Sequence, residues 1–138
     1  MFRKQASKPH DRIDSLIGAG TRIEGNVTFS GGLRIDGEVI GNVAAVSDQP
    51  STLVVSEEAR IEGEISVSHL VVNGTISGPV RASEFLELQS RSRVKGDVQY
   101  NALEMHLGAI VEGRLVHSSS ESKTVELKLA TSKPSSQA

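Results

Sequence analysis

A five-residue phrase, apolar-polar-Gly-polar-apolar, recurs along this chain and limits what it can fold into more than any other feature. It stands at Ile23-Glu24-Gly25-Asn26-Val27, Ile61-Glu62-Gly63-Glu64-Ile65, Val94-Lys95-Gly96-Asp97-Val98 and Val111-Glu112-Gly113-Arg114-Leu115. Two doublets carry it as well: Ile35-Asp36-Gly37-Glu38-Val39 runs into Gly41, and Val72-Asn73-Gly74-Thr75-Ile76 runs into Gly78. With the later glycine of each doublet, the marks fall at Gly25, Gly41, Gly63, Gly78, Gly96 and Gly113, and neighbouring marks are 16, 22, 15, 18 and 17 residues apart. The widest interval holds an insertion, Asp48-Gln49-Pro50-Ser51-Thr52. A near-fixed period of this length signals units that cannot bury an apolar face alone and must stack.

Between the glycines the period is two, the signature of strands. Leu33, Ile35, Gly37 and Val39 fall on one face, with Arg34, Asp36 and Glu38 on the other. Leu70, Val72, Gly74, Ile76, Gly78 and Val80 repeat the pattern inward. Aromatic residues make up only 3% of the chain, so the core is built from Val, Ile, Leu and Ala, which suit layered strands. Where a chain coils around a narrow core it must bend every few residues, and glycine avoids both the crowding of a Cβ and the penalty of positive φ. Gly25, Gly37, Gly41, Gly63, Gly74, Gly78, Gly96 and Gly113 are therefore read as coil corners, and Pro79, which has no N–H, is tolerated beside one. The fold class is all-β: a single-stranded parallel β-helix of about six coils over residues 17–117. On its surface the register sets Asp97 beneath Arg114, and Lys95 between Ser77 and Glu112.

Residues 1–16 are read as a flexible arm and 118–138 as a flexible tail, so the solenoid has disordered N- and C-terminal ends. Met1 to Asp14 is polar and carries a net +2, against −5 for Ser15 to His117. Phe2, Arg3, Lys4 and Lys8 fit either an ordinary solvated start or a toehold on an anionic membrane surface, where each basic residue adds about 1 kcal/mol. In the tail, Val125, Leu127 and Leu129 alternate weakly; a partner-binding segment is the alternative to a disordered one.

Several function classes are excluded. The acidic body argues against nucleic acid as a partner. There is no phosphate loop, hence no nucleotide and no cofactor, and no nucleophile elbow. With no Cys, and with His10, His69, His106 and His117 never paired at i, i+4, no metal set forms. His106 follows Glu104 at i+2 on an alternating strand, which reads as a solvated surface pair rather than a catalytic dyad. No catalytic residue is assigned. Neither an apolar run long enough to span a bilayer nor a signal-peptide core is present, so the chain reads as cytoplasmic.

A solenoid exposes unpaired strand edges and an apolar cross-section at each end unless a cap covers them. No cap is legible at either end. The sequence therefore predicts self-association end to end, with Ile17, Ile23 and Val27 at one junction and Leu103, Met105, Leu107, Val111 and Leu115 at the other.

The body, Ile17 to Val116, resembles the bactofilin family of bacterial cytoskeletal proteins. The resemblance rests on Gly20-Thr21-Arg22-Ile23-Glu24-Gly25-Asn26, Leu33-Arg34-Ile35-Asp36-Gly37-Glu38-Val39-Ile40-Gly41 and Leu70-Val71-Val72-Asn73-Gly74-Thr75-Ile76-Ser77-Gly78. Met1-Phe2-Arg3-Lys4-Gln5 is similar to the short membrane-targeting segment of many members. The resemblance implies a right-handed β-helix, nucleotide-independent nonpolar filaments at the inner face of the cytoplasmic membrane, and scaffolding of cell-shape or envelope proteins. Two other readings compete: a β-helical adaptor that does not polymerise, and a hexapeptide-repeat acyltransferase, which requires strict six-residue spacing and a loop His not found here.

Overall fold

Short alternating runs, each cut off by a glycine or a polar turn, give fifteen β-strands and no helix among the described residues, 13–46 and 49–118 of this computed structural model. The first coil is β1 (Ser15–Ile17), β2 (Arg22–Glu24) and β3 (Val27–Phe29); the second is β4 (Gly31–Ile35), β5 (Glu38–Ile40) and β6 (Val43–Ala45). From the third coil onward, the last strand of one coil bends and runs on as the first strand of the next. The third coil is β7 (Ser51–Val55), β8 (Arg60–Glu62) and the start of β9 (Ile65–Val72). The fourth takes the rest of β9, β10 (Thr75–Ser77) and the start of β11 (Val80–Leu88). The fifth takes the rest of β11, β12 (Arg93–Lys95) and the start of β13 (Val98–Met105); the sixth takes the rest of β13, β14 (Ile110–Glu112) and β15 (Leu115–His117).

Strands pair in parallel with the coil above and the coil below, so the chain is a solenoid with three faces. Its core consists of like residues stacked in columns. Leu33, Leu53, Leu70, Leu86 and Leu103 form one on the first face. Ile23, Val39, Ile61, Ile76, Val94 and Val111 form the column of the second face. Val27, Val43, Ile65, Val80, Val98 and Leu115 form that of the third. In the inner four coils these side chains are almost wholly buried, at about 1.5 to 3 kcal/mol each. Members in the first and last coils are not, because each lacks a neighbour on one side.

The uneven glycine spacing resolves into corner lengths. Between the first and second faces, four coils use a four-residue corner closed by a backbone bond: Gly18 to Thr21, Ser56 to Ala59, Gln89 to Ser92 and His106 to Ala109. Two coils use a two-residue corner, Asp36-Gly37 and Asn73-Gly74. A circuit takes 17 residues with the long corner, as from Gly96 to Gly113, and 15 with the short one, as from Gly63 to Gly78. One extra residue at Ser30, and one where the register shifts between Ala82 and Phe85, account for the intervals of 16 and 18. Residues 46–50 account for the interval of 22. The insertion therefore sits slightly earlier than the sequence suggested. Ser51 and Thr52 belong to β7, where they are buried and pair with Gly31 and Gly32. Ser51 is fixed further by hydrogen bonds with Ser68 in the next coil. Pairing also begins before Ile17: Ser15 pairs with Leu33, and Asp14 exchanges bonds with Gly32.

Candidate self-association site

The eight corner glycines fall into two sets. Gly25, Gly41, Gly63, Gly78, Gly96 and Gly113 turn the second face into the third, at φ between 140° and 157°. From Gly41 onward, a Cβ on any of them would come closer than 3.0 Å to the carbonyl oxygen of the corner glycine one coil earlier. These glycines are therefore required twice over, by backbone conformation and by space. Gly37 and Gly74 sit at the other corner without positive φ, and need to be glycine only because a Cβ would strike the carbonyls of Thr21 and Ser56.

Side chains just after the first set link successive coils. The Asn26 side-chain oxygen accepts from the Asn42 N–H, and that of Asn42 accepts from the Glu64 N–H, both at 2.9 Å. Pro79 comes next and has no N–H to satisfy. Above it, Asp97 accepts from the Arg114 N–H at 3.1 Å and from its guanidinium at 3.2 Å. These bonds hold the Asp97 carboxyl below the usual carboxylate range, the backbone donor first. Asp36 is likewise lowered, chiefly by the Ser56 hydroxyl and then by Arg34. Lys95 lies between Ser77 and Glu112, as the register predicts.

The two ends are where the stacking stops. β1, β2 and β3 have no strand below them, and residues 102–105 of β13, with β14 and β15, have none above, among the described residues. Ile17, Ile23 and Val27 are half-buried at the base of the core, joined by Phe29, which extends the Val27 alternation by one step and was not singled out from sequence. At the other end Leu103 and Val111 are half-buried, while Met105 and Leu115 are 44% and 41% exposed. His117 lies over its register partner Tyr100 with ring centroids 5.6 Å apart and is itself exposed. Leu107 differs from its predicted companions: it occupies a corner turn, 97% exposed, and tops no core column. Phe2, Arg3, Lys4 and Lys8 lie outside the described residues, as does the Val125 to Leu129 stretch.

The outward pair Glu104 and His106 gains a third member across the coils. The ring Nε2 of His106 is 3.1 Å from a carboxylate oxygen of each of Glu87 and Glu104.

A family model described as "Bactofilin: Polymer-forming cytoskeletal" matches residues 15–116, from the first strand to the last. The chain belongs to the bactofilin family. This bactofilin is 25% identical over 112 residues to Bactofilin BacP of Myxococcus xanthus (strain DK1622), a match covering 81% of the chain and 45% of the relative. It is 26% identical over 102 residues to Bactofilin BacO of the same organism, covering 74% of the chain and 78% of that relative. No solved structure matches it. The family is cytoskeletal and polymer-forming, not enzymatic, which removes the acyltransferase reading and makes self-association the business of this bactofilin's surface. Among the described residues no helix is long and apolar enough to cross a membrane.

Proposed function

We propose that this bactofilin polymerises end to end, without nucleotide, into nonpolar filaments at the inner face of the cytoplasmic membrane, where they act as a scaffold for cell-shape or envelope proteins. One observation supports the end-to-end reading: the same core columns that are sealed in the inner four coils stop at half-buried or exposed aliphatic residues in the first and last, Ile23 and Val27 at one end and Leu103, Val111 and Leu115 at the other. The edge strands there hold N–H and C=O groups aimed along the rod axis, and a second molecule placed on them extends both ladder and core. Burying the remaining aliphatic surface at about 1 kcal/mol per side chain, with net backbone bonds of about 1 kcal/mol each, gives a sum on the order of 10 kcal/mol. That is comparable with the roughly 4 to 15 kcal/mol cost of association. Assembly is then reversible and set by concentration, with no step that hydrolysis must drive.

The nonpolar arrangement, the membrane and the scaffolding role rest on the family resemblance and on the cationic, Phe2-bearing start of the chain. Many weak arms on one polymer bind a surface together far more tightly than one alone. Removal of residues 1–8 is expected to release the polymer from anionic liposomes while leaving it intact.

The test of the junction is an acidic residue on the last coil. Val111→Asp and Leu115→Asp are each expected to give short soluble species in sedimentation, with filaments lost in electron micrographs. Unchanged pelleting by both would overturn the assignment.

A further inference from the structure

The outward side of the first face carries a charge pattern that the ends do not use. A single column in strict register runs the length of the rod there: Leu16, Arg34, Val54, Val71, Glu87 and Glu104. It is cationic in the second coil, aliphatic in the third and fourth, and anionic in the fifth and sixth. Val54 and Val71 are only half-buried although they point away from the core. Glu87 directly below Glu104 is an unfavourable pairing of like charges in a ladder. His106 offers one ring nitrogen to both carboxylates and a single nitrogen carries at most one proton, so the stack keeps unmatched negative charge. Three coils away, Arg34 gives its Nε–H to Asp36 at 2.9 Å, and its side chain is still half exposed. The remaining donors of that fork suit a second carboxylate.

We infer that this face binds a second copy of the chain, side by side with its rod axis reversed, so that Arg34 of each copy meets Glu87 of the other. The reversal follows from the pattern. A two-fold axis lying along the strands, midway between the third and fourth coils, exchanges the second coil with the fifth and the third with the fourth. Arg34 then faces Glu87 twice, Val54 faces Val71 twice, and Glu104 sits at the rim near Leu16 with its carboxylate in water. A parallel copy instead brings the two Glu87–Glu104 stacks together.

The size of the face says when this contact matters. Six coils at about 4.8 Å by a five-residue strand at about 3.3 Å per residue give roughly 450 Å² per copy. The pair buries about 900 Å², below the roughly 1,200 Å² of stable interfaces. One pair of molecules holds weakly; filaments that repeat the contact along their length pair firmly. The inference thus draws its strength from the end-to-end polymer, and its test separates the two.

The experiment uses the full chain with Arg34→Glu, Glu87→Arg, both substitutions together, and an equimolar mixture of the two single variants, viewed by electron microscopy and by light scattering. Wild-type filaments are expected to run as laterally joined pairs or bundles. Each single variant sets like charges opposite each other and is expected to give single filaments, with scattering reduced several-fold. The double variant and the mixture restore complementarity and are expected to bundle again. Recovery on mixing cannot come from repair of either fold, because the chains meet only through their surfaces. Single variants that still bundle, or a mixture that stays unbundled, would overturn the inference. Bundling lost on truncation after Ser118 but kept by both single variants would overturn it as well, giving the face to the chain's own C-terminal segment. A wild type without filaments would count against end-joining alone. The mixture is then read by sedimentation at millimolar concentration, where a dimer formed only on mixing supports the side-by-side contact and monomer overturns it.

Discussion

A Cβ placed on Gly63 would fall within 3.0 Å of the carbonyl oxygen of Gly41, one coil away, and Gly63 itself is held at φ +153°. The obstacle is backbone fixed by ladder bonds on both sides, so it cannot step aside as a flexible side chain does. Positive φ alone costs an L-residue about 1 to 2 kcal/mol, and the collision adds to it. Gly63→Ala is expected to lose more than about 3 kcal/mol, within the range of the severe single substitutions. Gly18→Ala, with nothing within 4 Å and no positive φ, is the matched control and is expected to stay within about 0.5 kcal/mol of wild type. Urea denaturation followed by circular dichroism distinguishes the two.

Much of this architecture was legible because glycine at a corner is forced by geometry while the strands between need only alternate. Gly25, Gly41, Gly63, Gly78, Gly96 and Gly113 mark one corner of every coil, and the alternation through Leu33 to Val39 or Leu70 to Val80 gave the correct inward set. What stayed hidden depends on counting residues around the circuit. Gly37 and Gly74 share a sequence signature with the other six, yet belong to a different corner and meet a different requirement. Glu87 could not be placed against His106 without the extra residue between Ala82 and Phe85, which sets the register of the coils on either side. The end of the insertion was misjudged because Ser51 and Thr52 look like a turn, whereas Ser68 and Gly32 hold them in a strand.

Ser92 carries a second prediction. Its hydroxyl is buried without a hydrogen-bond partner among the described residues, at the last position of a four-residue corner. The same position holds Ala59 in the third coil and Ala109 in the sixth. A buried polar group without a partner costs about 1 to 3 kcal/mol, and its replacement by a slightly smaller apolar group removes that cost. Ser92→Ala is expected to stabilise the fold by about 1 kcal/mol, seen as a higher urea midpoint at unchanged slope. A lower midpoint would mean that the hydroxyl is satisfied by water.

Acid is expected to weaken the fold through Asp36 and Asp97. Both carboxyls are held below their ordinary range in the folded chain, by Ser56 and then Arg34 for one, and by the N–H and then the guanidinium of Arg114 for the other. A group whose folded-state pKa is lowered adds stability above its unfolded value, and that stability fades as pH falls through the folded one. With an unfolded value of about 3.9, the melting temperature is expected to be level near neutrality and to decline below about pH 4. Asp36→Asn with Asp97→Asn is expected to lower the neutral plateau slightly and to flatten the acid decline. An unchanged decline in the double variant would assign the acid sensitivity to other groups.

Gly25 separates folding from assembly. At every later corner of its set the Cβ direction points at the glycine carbonyl one coil earlier, but Gly25 belongs to the first coil and has no atom within 4 Å in that direction. A methyl group there costs the isolated chain only the strain of φ +140°, about 1 to 2 kcal/mol, and stands on the bare face of the rod. Should another molecule stack on that face as closely as one coil stacks on the next, the methyl group meets backbone at a distance no real contact allows. Gly25→Ala is therefore expected to remain folded, with a melting temperature a few degrees lower, while the concentration needed for polymerisation rises at least tenfold. Gly113→Ala, whose collision lies inside the chain, is expected to show the larger loss of stability. A folded Gly25→Ala protein that polymerised at the wild-type concentration would show that no molecule stacks on the first coil as closely as one coil stacks on the next.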